Sequence, residues 1–171
     1  FISGSLNFGT QIALVHRGTP VLGIIDQPIT QERWIGRYGQ PTLLGEAVLH
    51  TSATTSVANA ILYTSAWEQF TSTQHDRFAT LAAAAQVCRT SHDCYAAGLL
   101  AHGCVDILAE ANVFDYDILP QLPIVVGAGA VVSDWDGNPL SDNSKSFPTV
   151  LMSANAQLHE IALTCLKAQT N

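Results

Sequence analysis

The sequence predicts a layered α/β fold in one compact unit, and three observations carry that prediction. Apolar, β-tolerant runs separated by turns fill the first 40 residues. From residue 60 onward, strand-like and helix-like segments alternate, the pattern of a layered α/β sheet rather than of an all-β or all-α domain. With 171 residues, 47% of them hydrophobic and 12% charged, the chain can bury one sizeable core and is far from the composition of a disordered polymer.

The elements follow in order. Residues 8–16 read as a strand, Arg17-Gly18-Thr19-Pro20 as a turn, and residues 21–25 as a second strand closed by Asp26-Gln27-Pro28. Residues 33–38 form a third strand before the Gly39-Gln40-Pro41 turn. Residues 60–63 are a short strand, and the alanine-rich residues 75–86, with Phe78 and Leu81 three apart, suit a helix. Residues 87–89 return as a strand, and residues 93–102 as a helix ended by Gly103. A strand over 105–108 runs into Glu110, and a buried helix over 118–128 tolerates Pro120 in its first turn. Gly127-Ala128-Gly129 reads as the terminator of that helix and not as half of a dinucleotide fingerprint. Strands over 131–133 and 150–153 follow. Asn155 then caps a last helix whose inward face carries Leu158, Ile161, Ala162, Cys165 and Leu166.

Charge excludes several functions. Seven basic residues against 14 acidic ones give a net charge of −7, which argues against nucleic acid as a partner. No apolar run approaches the roughly 18–20 residues of a membrane span, and no basic segment precedes a signal-like core. Cys88, Cys94, Cys104 and Cys165 form no C-x-x-C pair and read as free, buried thiols of a reducing, cytoplasmic compartment. The six histidines are scattered without metal-ligand spacing, and no G-x-S-x-G elbow occurs.

One local anomaly stands out. Residues 90–144 contain no Lys or Arg, yet carry Asp93, Asp106, Glu110, Asp115, Asp117, Asp134, Asp136 and Asp142. Such acids face either water or a cation. Asp117 sits at the entrance of the 118–128 helix, where it serves as an ordinary helix cap or as a hard oxygen ligand for Mg²⁺. Glu110 lies near a strand end, where α/β sheets hold ligands, although a lone Glu is by default a surface carboxylate. Asp93 is either the cap of the 93–102 helix or a site residue. Arg89, the last cation before the acidic stretch, suits a phosphate fork or a salt bridge to one of those acids.

Together these residues resemble a known family. The run Arg89-Thr90-Ser91-His92-Asp93-Cys94-Tyr95-Ala96-Ala97-Gly98-Leu99-Leu100-Ala101 comes first. Val105-Asp106, Glu110, Tyr116-Asp117, Gly127-Ala128-Gly129 and Asp134-Trp135-Asp136-Gly137-Asn138-Pro139-Leu140 follow in order. The series resembles the C-terminal half of the inositol monophosphatase superfamily. The Asp93–Ala101 part, with Gly23-Ile24-Ile25-Asp26-Gln27-Pro28 and Glu32-Arg33-Trp34-Ile35-Gly36, is most similar to its histidinol-phosphate phosphatase branch. The resemblance spans essentially the whole chain and implies the C-terminal portion of an α-β-α-β-α sugar-phosphatase sandwich. Residues 1–58 would complete the first sheet, and residues 59–171 would form the C-terminal α/β layer.

The resemblance implies Mg²⁺-dependent hydrolysis of a phosphate monoester. Asp117 is the implied catalytic metal ligand and substrate contact. Arg89 matches the arginine that helps bind substrate, and Asp93 and Glu110 match positions that contact its alcohol. A carboxylate suits a cationic amino alcohol, which favours histidinol phosphate over inositol phosphate or other sugar and nucleotide monophosphates. Two departures are visible: Ser91-His92 stands where the branch has two glycines, and Ala130 replaces the second glycine of a Gly-Gly pair. The family's N-terminal glutamate motif and its Asp-Pro-[Ile/Leu]-Asp-Gly-Thr motif are both missing. Phe1-Ile2-Ser3-Gly4 resembles the chain just after the second of these. The expectation is a homodimeric enzyme of which this chain is the back half, inactive alone. The rival is a binding module that has kept the fold without the chemistry.

Overall fold

The computed structural model of the chain describes residue 2, residues 4–140 and residues 144–167. Its first sheet is an antiparallel meander in sequence order: β1 (Thr10–His16), β2 (Thr19–Gln27), β3 (Glu32–Arg37), β4 (Leu43–Leu44) and β5 (Ala47–Val48). Arg17 and Gly18 close the β1–β2 hairpin with φ of 51° and 87°. Two positive φ values match a two-residue turn to the right-handed twist of its strands. Thr19 and Pro20, expected in that turn, belong to β2. Pro20 is tolerated in an inner strand because it lies opposite the irregularity between Leu14 and Val15.

The second sheet has the order β7-β6-β8-β10-β9. It comprises β6 (Ile61–Thr64), β7 (Val87–Thr90), β8 (Ile107–Phe114), β9 (Val131–Ser133) and β10 (Ser146–Ser153). β6 runs parallel to β7 and β8, while β10 is antiparallel to β8 and β9. Every residue from Ile107 to Ala111 is buried, as in a strand covered on both faces.

Five α-helices complete the described fold: α1 (Ser72–Ala84), α2 (Tyr95–Ala101), α3 (Asp115–Ile118), α4 (Leu122–Gly127) and α5 (Ala156–Lys167). α2 and α4 pack together and touch strands of both sheets, so they form the layer between them; α5 packs on β10 and α1 packs on α5. Among the described residues no helix is long and apolar enough to cross a membrane.

The middle layer lies directly on the first sheet. A Cβ built at Gly23 would fall 2.0 Å from the Pro120 carbonyl oxygen, and one at Gly36 would fall 2.3 Å from the Ile124 nitrogen. Backbone therefore meets backbone there, which only glycine allows. The opposite face of this sheet carries an apolar row in register across all five strands, Ile12–Ile24–Ile35–Leu43–Val48.

Several expected elements move. The single helix over 118–128 is two short ones, α3 and α4. Pro120 and Pro123 both lack the N–H that a continuous helix needs, three residues apart, and two missing rungs break the ladder. The strand expected over 105–108 starts later and runs much further, to Phe114, because β10 itself begins at Ser146 and pairs with β8 along its length. α1 starts at Ser72, not residue 75, because Thr71 and Gln74 form a reciprocal capping box. Asn155 caps α5 as expected, its Oδ1 accepting the Leu158 N–H at 3.0 Å. The inward face of α5 nevertheless carries His159 and Leu163, while Ile161 is 38% exposed. His159 turns inward because its ring bridges Ser133 Oγ (2.8 Å from Nε2) and Ser153 Oγ (3.1 Å from Nδ1), tying α5 to β9 and β10. Of the four free thiols only Cys94 is buried, and Cys104 is exposed.

Candidate active site

A cleft of about 540 Å³ opens between the first turns of α2 and α3, with β8 in its floor. Asp93, Glu110 and Asp117 all line it, from three separate elements. Arg89 does not. Its guanidinium is solvent-exposed at the end of β7 and donates to the Cys88 carbonyl at 2.9 Å. The salt bridge considered for Arg89 is not formed among the described residues.

Glu110 lies within β8, not at a strand end, and is only 7% exposed. Its Oε2 accepts the Ser65 N–H at 3.0 Å and lies 3.4 Å from Thr64 Oγ1, while Oε1 is 2.9 Å from Ser65 Oγ. Burial pushes its pKa from the ordinary 4.5 to about 7, against the opposing pull of those hydrogen bonds and with help from the nearby Asp93 charge. Glu110 can thus hold or release a proton near neutrality.

Asp93 is exposed and precedes α2, with φ of 48°; its Oδ1 accepts the Cys94 N–H at 2.8 Å. Asp117 is the third residue of α3, and its Oδ2 accepts the Phe114 N–H at 2.9 Å. Asp117 thus fastens the start of α3 from its third residue and not from the N-cap position, which Phe114 occupies. The second oxygen, Oδ1, is the one a cation would take.

The remaining acids have local partners. Lys145 holds Asp115 at 3.0 Å and draws its carboxyl below the ordinary range. Arg77 pairs with Asp136 at 2.7 Å and also donates to the Trp135 and Leu166 carbonyls. Asp106, 5% exposed, accepts the Ile61 N–H at 2.7 Å and bonds Ser52 Oγ. Asp134 closes its own turn by accepting the Asp136 and Asn138 N–H groups, each at 2.8 Å. Asp142 lies outside the described residues.

The cleft also contains groups that sequence reasoning missed. Ser65 holds Glu110, and Gln11 and Gln121 add amides to the walls. The Thr64-Ser65 hydroxyl pair at the end of β6 was the available signal, but nothing in the sequence aimed it at residue 110.

Mg²⁺ uses one or two protein carboxylates and fills its shell with water and substrate phosphate. Asp117 fits one such position. Among the described residues no group of three or more His, Cys, Asp or Glu side chains is arranged to hold a metal.

The model of the inositol monophosphatase family matches residues 1–169. The chain is 36% identical over 172 residues to the bifunctional phosphatase IMPL2, chloroplastic, of Arabidopsis thaliana, covering 98% of this chain and 50% of that protein. It is 27% identical over 174 residues to the histidinol-phosphatase of Mycobacterium tuberculosis, covering 98% of this chain and 65% of that protein. An inositol monophosphatase structure from Zymomonas mobilis superposes with a TM-score of 0.92 at 38% identity, covering 98% of this chain and 66% of that one. An IMPase/NADP phosphatase complexed with Mg²⁺ and phosphate shares the fold, with a TM-score of 0.82 at 17% identity. This chain therefore spans half the length of the plant relative and about two thirds of the others.

Proposed function

The chain belongs to the inositol monophosphatase family, and from that membership we propose that the whole protein hydrolyses histidinol phosphate to histidinol and phosphate with Mg²⁺. The observation that carries the proposal is the convergence of Asp93, Glu110 and Asp117 on one cleft. A metal-assisted phosphatase needs an anionic metal ligand beside groups that grip the alcohol, and these three residues divide that work.

When bound, Mg²⁺ supplies Lewis-acid chemistry: it lowers the pKa of water and neutralises charge on phosphate and the leaving oxygen. Asp117 would hold it through Oδ1, its Oδ2 staying fixed by the Phe114 N–H. The other metal carboxylates are proposed to come from residues of the whole protein that this chain does not contain. Asp93 offers its exposed carboxylate to the ammonium of histidinol. Glu110, poised near pH 7, accepts from a donor on the alcohol when ionised and donates to an oxygen when protonated. Arg89 reaches substrate phosphate only by turning its guanidinium away from the Cys88 carbonyl.

A neutral polyol phosphate such as inositol-1-phosphate is the second reading. Glu110 favours it, since a carboxyl half-protonated near pH 7 suits a hydroxyl as well as an ammonium. Phosphate release from both substrates by the whole protein, with and without Mg²⁺, separates the two. Histidinol phosphate is expected to give the higher kcat/KM, and Asp117→Asn to abolish the Mg²⁺-dependent rate. Near-normal kcat in Asp117→Asn would overturn the site assignment. The 171-residue chain alone is expected to show no Mg²⁺-dependent turnover, since its described residues offer one candidate ligand and no cluster.

A further inference from the structure

Asp93 holds its place in the cleft from a turn with two left-handed residues, a conformation that Asp93 tolerates and Ser91 does not favour. Ser91 has φ of 64° and Asp93 φ of 48°, so two side-chain-bearing residues occupy the left-handed region on either side of His92. Glycine would relieve Ser91 in particular; this chain has none between Thr90 and Cys94. Something must hold the turn.

The His92 ring supplies that hold. It lies on the Tyr63 ring with centroids 3.9 Å apart and planes inclined by 35°. Tyr63 belongs to β6, pairs with Arg89 across the β6–β7 ladder, and is thus fixed by the sheet. His92 Nδ1 is buried with no hydrogen-bond partner of ordinary geometry among the described residues, while the Thr90 backbone lies close enough to the ring to work against the lowering of its pKa by burial. The same turn is pinned at its start, where the Ser91 N–H reaches the Thr64 carbonyl at 3.2 Å and the Ser65 carbonyl at 3.1 Å. Ser65 is also the residue that holds Glu110. The end of β6 therefore fixes both carboxylates that face the alcohol, Glu110 directly and Asp93 through the turn.

We propose that His92, by stacking on Tyr63, is a positioning residue that holds the Ser91–Asp93 turn in its left-handed form and so aims the Asp93 carboxylate at the alcohol of the substrate. The substrate role rests on the reading of Asp93 given above; the hold on the turn does not. An aromatic ring thus does here, by packing, what flexible glycines do by permissiveness.

The test uses the whole protein with Mg²⁺ and histidinol phosphate, in His92→Ala and His92→Phe variants. One readout is amide hydrogen exchange at Ser91 and Cys94, whose N–H groups are bonded within and beside the turn. The other is KM against kcat. In His92→Ala, exchange at both amides is expected to speed by about tenfold or more and KM to rise by about tenfold, with kcat within about twofold, the pattern of a lost contact made equally in ground and transition states. In His92→Phe, which keeps a flat ring, both are expected to return close to the parent. Unchanged exchange in His92→Ala, or no recovery in His92→Phe, overturns the proposal. Faster exchange with unchanged KM overturns the positioning role if Asp93→Asn still raises KM. If Asp93→Asn leaves KM unchanged too, the substrate reading of Asp93 has failed while the hold on the turn stands.

Discussion

Glu110 shows how much one buried side chain can decide. Its pKa of about 7 lies above the ordinary 4.5, so between those values the folded protein binds more protons than the unfolded chain. Stability from this group is therefore fully present below about pH 4.5 and lost as pH rises through about 7. A shift of that size corresponds to roughly 3 kcal/mol at most. Glu110→Gln keeps one acceptor for the Ser65 N–H and presents an amide to Ser65 Oγ, so it mimics the protonated form. Thermal melts across pH 4.5–8 should show the variant losing less stability than the parent as pH rises. Parallel curves would place the proton elsewhere. The residue itself was legible in the sequence as a candidate, but its burial was not. Burial comes with its place inside β8, where Thr64 and Ser65 at the end of β6 lie against its carboxyl, a non-local fact that local residue patterns do not contain. Arg89 is the converse: its type and position suggest a fork, yet its side chain turns back to the Cys88 carbonyl.

Among the elements, α1 and the α3–α4 pair show which signals are local enough to read. The alanine-rich run of α1 was legible, but its true start depended on Thr71 and Gln74, with Thr71 Oγ1 accepting the Gln74 N–H at 3.3 Å and Gln74 Oε1 accepting the Thr71 N–H at 2.8 Å. Thr71→Ala should lower stability by about 1 kcal/mol, measured by urea melts with an unchanged m-value. The α3–α4 break was also written in the sequence, as two prolines. One proline is tolerated at a helix start, and it was their spacing that made a second helix necessary. α5 was legible as a helix but not in its rotation. His159 lies off the apolar face that the sequence predicts, whereas the structure buries it because Ser133 and Ser153 satisfy its two nitrogens. Burial holds the His159 imidazole below its ordinary pKa, which suits a neutral ring between two hydroxyls.

Across the whole molecule, the layering was legible because alternation of strand and helix is a long-range pattern written in local runs. The order β7-β6-β8-β10-β9 was not, since nothing local says which strand neighbours which. The acidic excess now divides: three carboxylates face the cleft, and four others are used by lysine, arginine or backbone groups. The apolar row Ile12–Ile24–Ile35–Leu43–Val48 is a whole-molecule feature with its own consequence. Ile12 is 53% and Val48 50% exposed, at the two edges of one sheet face. A chain of residues 1–171 is expected to self-associate as its concentration rises, seen as a growing weight-average mass in sedimentation equilibrium. Ile12→Lys with Val48→Lys should shift that association to higher concentration. A mass independent of concentration in the parent chain would remove the row as its cause.

Gly23 and Gly36 set a rule for anyone recombining this protein with its relatives. Each lies where the main chain of the 120–124 segment presses on the first sheet, with room for a hydrogen and nothing larger. A crossover placed between residues 36 and 120 would join a sheet from one parent to a helical layer from another. Such a hybrid can close only if the donor of the first sheet brings glycine at both positions, whatever its overall identity. Compatibility of the two parents thus turns first on these two hydrogens, and a chimera library can be filtered on them before anything is expressed.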